Sequence, residues 1–149
     1  MTLGIVSSGT LDTTDLIHAF SRELRSKIPS LRGDLRKSAR RVVNEADTAL
    51  EDDKPAYLEE LFELLDATSK PYTYFAASEW DGAEFGFRPA WDSLEEDARA
   101  RDGVIKVNAG DPWPKGLKAA GISFVMEVND HGNVALKYAS NGHTVWDCV

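Results

Sequence analysis

Apolar residues fall at helical spacing through the first half of the chain and at alternating spacing through much of the second. In "TTDLIHAFSRELRSKI", Leu16, Ile17, Phe20, Leu24 and Ile28 stand at offsets 0, 1, 4, 8 and 12, one face of a helix. Asp12, Thr13 or Thr14 can cap its start, and Pro29 closes it. A second helix begins between Ser30 and Asp34 and runs to about Asp52, with Leu35, Ala39, Val42, Val43, Ala46, Ala49 and Leu50 as its apolar stripe. A third opens near Pro55, a favoured first-turn position, and buries Tyr57, Leu58, Leu61, Phe62, Leu64 and Leu65. The joints are short, which implies antiparallel packing of the three.

After Lys70 the period changes. "PYTYFAAS" is short, aromatic and strand-like, with Pro71 at its start. "DSLEEDARAR" reads as a short helix, with Ser93 and Glu96 at capping-box spacing. "GVIKVN" reads as a strand, and "GDPWPKG" as a loop because two prolines flank Trp113. From Gly121 a meander of three strands is expected. Ile122, Phe124, Met126 and Val128 alternate on one face, followed by Val134, Leu136 and Tyr138, then Thr144, Trp146 and Cys148. "NDHGN" and "SNGH" supply its turns, and Asn141-Gly142 is a strong hairpin signal. Helices first and antiparallel strands later predict an α+β fold. The expectation is a single domain over 1–149, helical over 12–68 and with a small antiparallel sheet over 71–149.

Composition narrows the class. An apolar fraction of 42% supports a packed core. No run is long enough to span a membrane, and the N-terminal stretch lacks the basic region of a secretory signal, so a soluble cytoplasmic protein without membrane contact is expected. The single cysteine, Cys148, permits no internal disulfide and suits a reducing compartment. Net charge is −8, but residues 21–41 carry eight Lys/Arg against Glu23 and Asp34, a local balance of +6, whereas residues 42–149 hold −12. Such segregation points to a charged partner or to self-association.

Candidate chemistry is sparse. The chain has no phosphate-binding glycine loop, dinucleotide fingerprint, zinc-protease helix, paired C-x-x-C or nucleophile elbow. With one cysteine and three histidines, neither metal nor cofactor is expected. His18 reads as a helix side chain, and His131 and His143 fall in successive turns, near opposite ends of one strand. Cys148 and His143 have opposite parity on the last strand and should face apart. Asp130-His131 fits a hairpin turn better than a general base. Arg32, Arg36 and Arg40 recur every four residues, with Lys37 and Arg41 beside them. Pairing with an acidic neighbour such as Glu59, Glu60 or Glu63 is the expected use of this stripe, and nucleic-acid phosphates the alternative.

The densest stretch is "SEWDGAEFGFRPAW", residues 78–91, read as a structured connection between a strand and a helix. Gly82 and Gly86 suit positive-φ turns, and Arg88 can pair with Asp81 or Glu84 or stack on Trp80 or Trp91. Candidate partner-binding residues are Arg32, Arg36, Arg40, Trp80, Asp81, Glu84, Phe85, Arg88, Trp91 and Trp113.

Part of that stretch and the C-terminal hairpin carry a resemblance. Asp81–Phe87, Asn129–Val134 and Trp146 resemble a family of small uncharacterised proteins borne by bacterial plasmids and phages, over about the last half of the chain. In that family an aromatic strand leads into an Asp-Gly-Ala-(Asp/Glu)-Phe-Gly-Phe segment, and an Asn-Asp-His-Gly-Asn-Val hairpin precedes a tryptophan. The resemblance assigns no functional residues and implies a mobile-element setting. The expectation is a non-catalytic phage or plasmid protein that binds and inhibits a host defence complex, such as a CRISPR effector or restriction system, by protein contact. The alternatives are a nucleic-acid-binding regulator using the basic second helix, or a small enzyme using Glu79, Asp81, Glu84 and His131.

Overall fold

The computed structural model describes residues 3–149 of the chain. It is an α+β protein with four helices and two sheets. The elements in order are β1 (Gly4–Ser7), α1 (Thr13–Lys27), a 3₁₀ turn (Ile28–Ser30), α2 (Gly33–Ala46), α3 (Lys54–Ala67), β2 (Thr73–Ala77), β3 (Phe85–Pro89), α4 (Trp91–Ala100), β4 (Val104–Asn108), β5 (Phe124–Val128), β6 (Val134–Tyr138) and β7 (Thr144–Cys148). The described residues divide into two compact units, one of Gly4–Ser69 with Tyr74–Arg88, the other of Leu3, Lys70–Thr73 and Pro89–Val149. The chain therefore passes from one unit to the other four times.

The first unit sets α1, α2 and α3 on one face of a three-stranded sheet of order β1-β3-β2. Asp12 caps α1 by accepting from the Asp15 amide at 3.0 Å. Leu16, Ile17, Phe20 and Leu24 of α1 are buried with Ala39, Val42, Val43 and Ala46 of α2 and Leu61 and Leu65 of α3. Aromatic rings join helices to sheet. Phe20 meets Phe75 of β2 edge-on at 5.2 Å and Phe85 of β3 at 5.4 Å, while Phe75 meets Phe62 and Phe87 at 5.1 Å each. Such pairs add to the burial of large rings, which dominates core energetics.

Three expectations are corrected in this unit. The second helix stops at Ala46, and Leu50, assigned to its stripe, is 74% exposed. Glu45 and Asp47 put negative charge at the helix C-terminus, where the macrodipole disfavours it, and Asp47 and Thr48 are weak helix formers. The densest stretch is also only partly a connection, because Phe85–Pro89 is the central strand β3. Neither Gly82 nor Gly86 adopts positive φ. Gly86 is required for another reason: it faces Ile5 of β1, and a Cβ there would collide with the Gly4 carbonyl. β1 itself, "GIVS", is too short to stand out as a strand in sequence.

The second unit carries a four-stranded sheet, β4-β5-β6-β7. The meander of β5, β6 and β7 is present with Met126, Leu136 and Trp146 in register, but β4 adds to it in parallel, so the sheet is mixed. A parallel neighbour needs a long crossover. Residues 109–123 provide it and cover the second face, where Ile105, Ile122 and Val125 are buried with Trp113 and Leu117 against them. The first face takes Leu94 and Ala98 of α4. That helix starts at Trp91 with Ala90 at the cap position and no side-chain cap bond, so the expected Ser93/Glu96 box does not form. Strand geometry sets the start: the Ala90 amide is held by the Tyr72 carbonyl at 2.8 Å.

Segment 70–73 is fixed within this unit. The Trp146 indole donates to the Pro71 carbonyl at 2.8 Å, and the Tyr72 hydroxyl donates to Asp97 at 2.6 Å. Tyr72 sits at φ 57, a left-handed conformation uncommon for a residue with a side chain. Its ring lies edge-on to Phe124 at 5.9 Å.

Candidate interaction surface

The β2–β3 hairpin ends in a tip, residues 78–84, that is closed by its own hydrogen bonds. The Ser78 amide donates to the Glu84 carbonyl at 2.7 Å, and the Glu84 amide donates to the Asp81 carbonyl at 3.0 Å. Side chains complete the turn: Ser78 Oγ accepts from the Trp80 amide at 3.2 Å and Asp81 Oδ1 from the Ala83 amide at 2.9 Å. The ordered tip projects Trp80 into solvent with 92% of its surface exposed, between the exposed carboxylates of Glu79 and Asp81. Tryptophan is ordinarily well buried, so an indole this exposed on a hydrogen-bonded turn is an uncommon feature of a free surface.

The other candidates in this stretch are structural. Glu84 pairs with Arg88 at 3.2 Å, and Arg88 is 7% exposed. Arg88 thus takes Glu84 from the partners expected for it, not Asp81 and not an indole. Phe85 packs on Phe20 in the core. Trp91 lies edge-on to Trp146 at 5.8 Å. Trp113 packs over the second face of the larger sheet, and its indole donates to Glu127 at 3.3 Å. Lys137 holds the Glu127 carboxyl below its ordinary range, partly offset by burial, and the Trp113 bond adds to that pull.

The basic residues of α2 divide into one that is paired and others that are not. Arg41 pairs with Glu45 at 3.1 Å and with Glu60 of α3 at 2.8 Å. Those bonds, Glu60 first, raise the Arg41 guanidinium above its ordinary value. Arg25 of α1 pairs with Asp47 and also donates to the Val43 carbonyl at 3.0 Å. Arg32, Arg36, Lys37 and Arg40 make no ion pair among the described residues. The expected pairing to the third helix therefore falls to Arg41 alone, beside the stripe and not in it.

The remaining chemistry is thin. His131 is exposed in the β5–β6 turn, where Asn129 Oδ1 accepts from the His131 and Asn133 amides at 2.9 Å each. His131 belongs to the second unit and Glu79, Asp81 and Glu84 to the first. Among the described residues no group of three or more His, Cys, Asp or Glu is arranged to hold a metal ion. Cys148 is buried, and burial raises its thiol pKa, the opposite of activation. No helix among the described residues is long and apolar enough to cross a membrane. Sequence reasoning missed a hollow of about 820 Å³ in the second unit, lined by Trp113, Leu117, Ile122, Phe124 and Tyr138 with Lys118 at its margin. It arises from the crossover, which carries no periodic signal.

No family model, curated protein or solved structure matches the chain.

Proposed function

We propose that this protein is a non-catalytic binding protein that acts by protein–protein contact, with the β2–β3 tip as its docking element. The observation that carries the reading is Trp80, 92% exposed on a turn fixed by its own hydrogen bonds. A turn whose backbone is already fixed loses little further backbone freedom on binding, and buried tryptophans are prominent among interface hot spots. Glu79 and Asp81 beside it favour a partner whose pocket is rimmed by basic groups. The particular partner proposed is a host defence complex, a CRISPR effector or restriction system, inhibited on behalf of a phage or plasmid. That part rests on the resemblance of residues 81–87 and 129–134 to mobile-element proteins and on the segregated charge.

The test is binding and inhibition of purified defence complexes by the parent protein and by Trp80→Ala. Loss of a hot-spot indole should weaken binding by about 2 kcal/mol or more, roughly thirtyfold, with an unchanged melting temperature. Parent-like inhibition by Trp80→Ala would remove the tip from the reading. Failure of the parent protein to bind any complex tested would remove the defence partner.

A further inference from the structure

We propose that the unpaired basic row at the start of α2, Arg32, Arg36, Lys37 and Arg40, is a second interaction surface, which contacts the phosphate backbone of a nucleic acid without reading its sequence. Arg36 and Arg40 stand one turn apart on α2, so their backbone positions rise by about 6 Å along one side, and Arg32 occupies the cap position just before the helix. Arg32, Lys37 and Arg40 are exposed, and Arg36 is half-buried. Arg32 is tethered by its own loop, donating to the carbonyls of Leu31 at 2.8 Å and Pro29 at 3.1 Å, which positions its charge without neutralising it. The Nε of Arg36 is buried with no hydrogen-bond partner among the described residues, so its stem is packed down along the helix.

The arrangement is unfavourable for the free protein. Like charges four residues apart repel, and cations at a helix N-terminal half oppose the macrodipole. Of the nearby acids, Glu45 and Glu60 are engaged with Arg41 and Asp47 with Arg25, while Asp34, Glu59 and Glu63 make no ion pair with the row. A charge row left unopposed in a protein of net −8 is accounted for by an anionic ligand.

The class of ligand follows from what the row lacks. Among the described residues the exposed large apolar ones are Ile5, Leu11, Leu50, Tyr74, Trp80, Tyr138 and Val149, and none lies on α2. A protein interface is expected to have an apolar or aromatic centre, whereas backbone contact to nucleic acid is made by Arg, Lys and polar groups alone. The surface is also separate in chemistry from the acidic Trp80 tip, so the two can be tested apart.

The experiment is fluorescence anisotropy of the full chain against a labelled DNA duplex of about 20 bp, titrated from about 20 to 150 mM salt, with labelled polyaspartate as the second probe. Three to four phosphate contacts predict a log–log salt slope of about −3 for the duplex. Arg36→Gln/Arg40→Gln should weaken duplex binding at least about tenfold and make the slope shallower by about two, while the melting temperature holds or rises. Trp80→Ala should bind the duplex as the parent does, which separates this result from the protein-docking reading. If the double variant folds poorly, Lys37→Gln/Arg40→Gln, at two exposed positions, must show the same direction. No duplex binding at the lowest salt, or a slope unchanged in the variants, overturns the proposal. Tighter binding of polyaspartate than of duplex also overturns it, in favour of an acidic protein partner.

Discussion

Tyr72 concentrates several constraints in one residue. Its backbone is left-handed, its carbonyl receives the Ala90 amide, and its hydroxyl donates to Asp97. Burial first, and then the Asp97 bond, push its pKa from the ordinary 10 to about 12. The fold therefore favours the protonated phenol. The stability it contributes is fully present below about pH 10 and is lost as pH rises through the folded value of about 12. Urea melts at about pH 9 and 11.5 should show this loss, and Tyr72→Phe should reduce it. Some dependence will remain, because Tyr57 is also raised, chiefly by its bond to Glu45. At neutral pH Tyr72→Phe should cost about 1 kcal/mol, the typical net value of one hydrogen bond. Identity alone does not separate such residues from neighbours of the same type. Trp80, Trp91 and Trp113 are equal candidates in the sequence, yet the first is exposed and the others are packed. The difference lies in the turn bonds of Ser78 and Asp81 and in which strands bring partners over each ring, which are long-range facts.

Elements with a local signal were legible, and those fixed by distant partners were not. The three-helix periodicity and the Asn141-Gly142 hairpin are written in neighbouring residues, and α1, α3 and the meander appear close to where expected, although β5 starts at Phe124 and Ile122 packs on the opposite face from Phe124, Met126 and Val128. The parallel pairing of β4 with β5 has no turn to announce it, because fifteen residues of crossover intervene, residues 109–123. β1 is four residues long and is recognised only by its partner β3. That pairing depends on the absence of a side chain at Gly86. Gly86→Ala should displace β1 and destabilise the protein by about 1–3 kcal/mol, as overpacking does. Faster amide exchange at Ile5 and Val6, with α1 and α3 protection retained in order, would check the location of the damage.

For the whole molecule, the helical and sheet halves of the sequence are not its compact parts. The helices bury their apolar faces on Phe75, Phe85 and Phe87, which arrive from later in the chain. A fragment ending at residue 69 keeps three helices and loses that sheet. It should show helical circular dichroism without a cooperative thermal transition, whereas the full chain melts cooperatively. Periodicity cannot reveal a division of this kind, since each compact part is assembled from separated stretches. Charge is distributed with similar disregard for sequence halves: the row on α2 is positive while the hairpin tip in the same compact part is negative. One last feature concerns the molecule among its copies. β2 forms an edge of its sheet, and Asp66 of α3 accepts the Phe75 amide at 2.9 Å. An open edge amide is a template on which a foreign strand can grow. A single carboxylate on a helix thus occupies that amide, so Phe75 does not offer it to the strand of another copy.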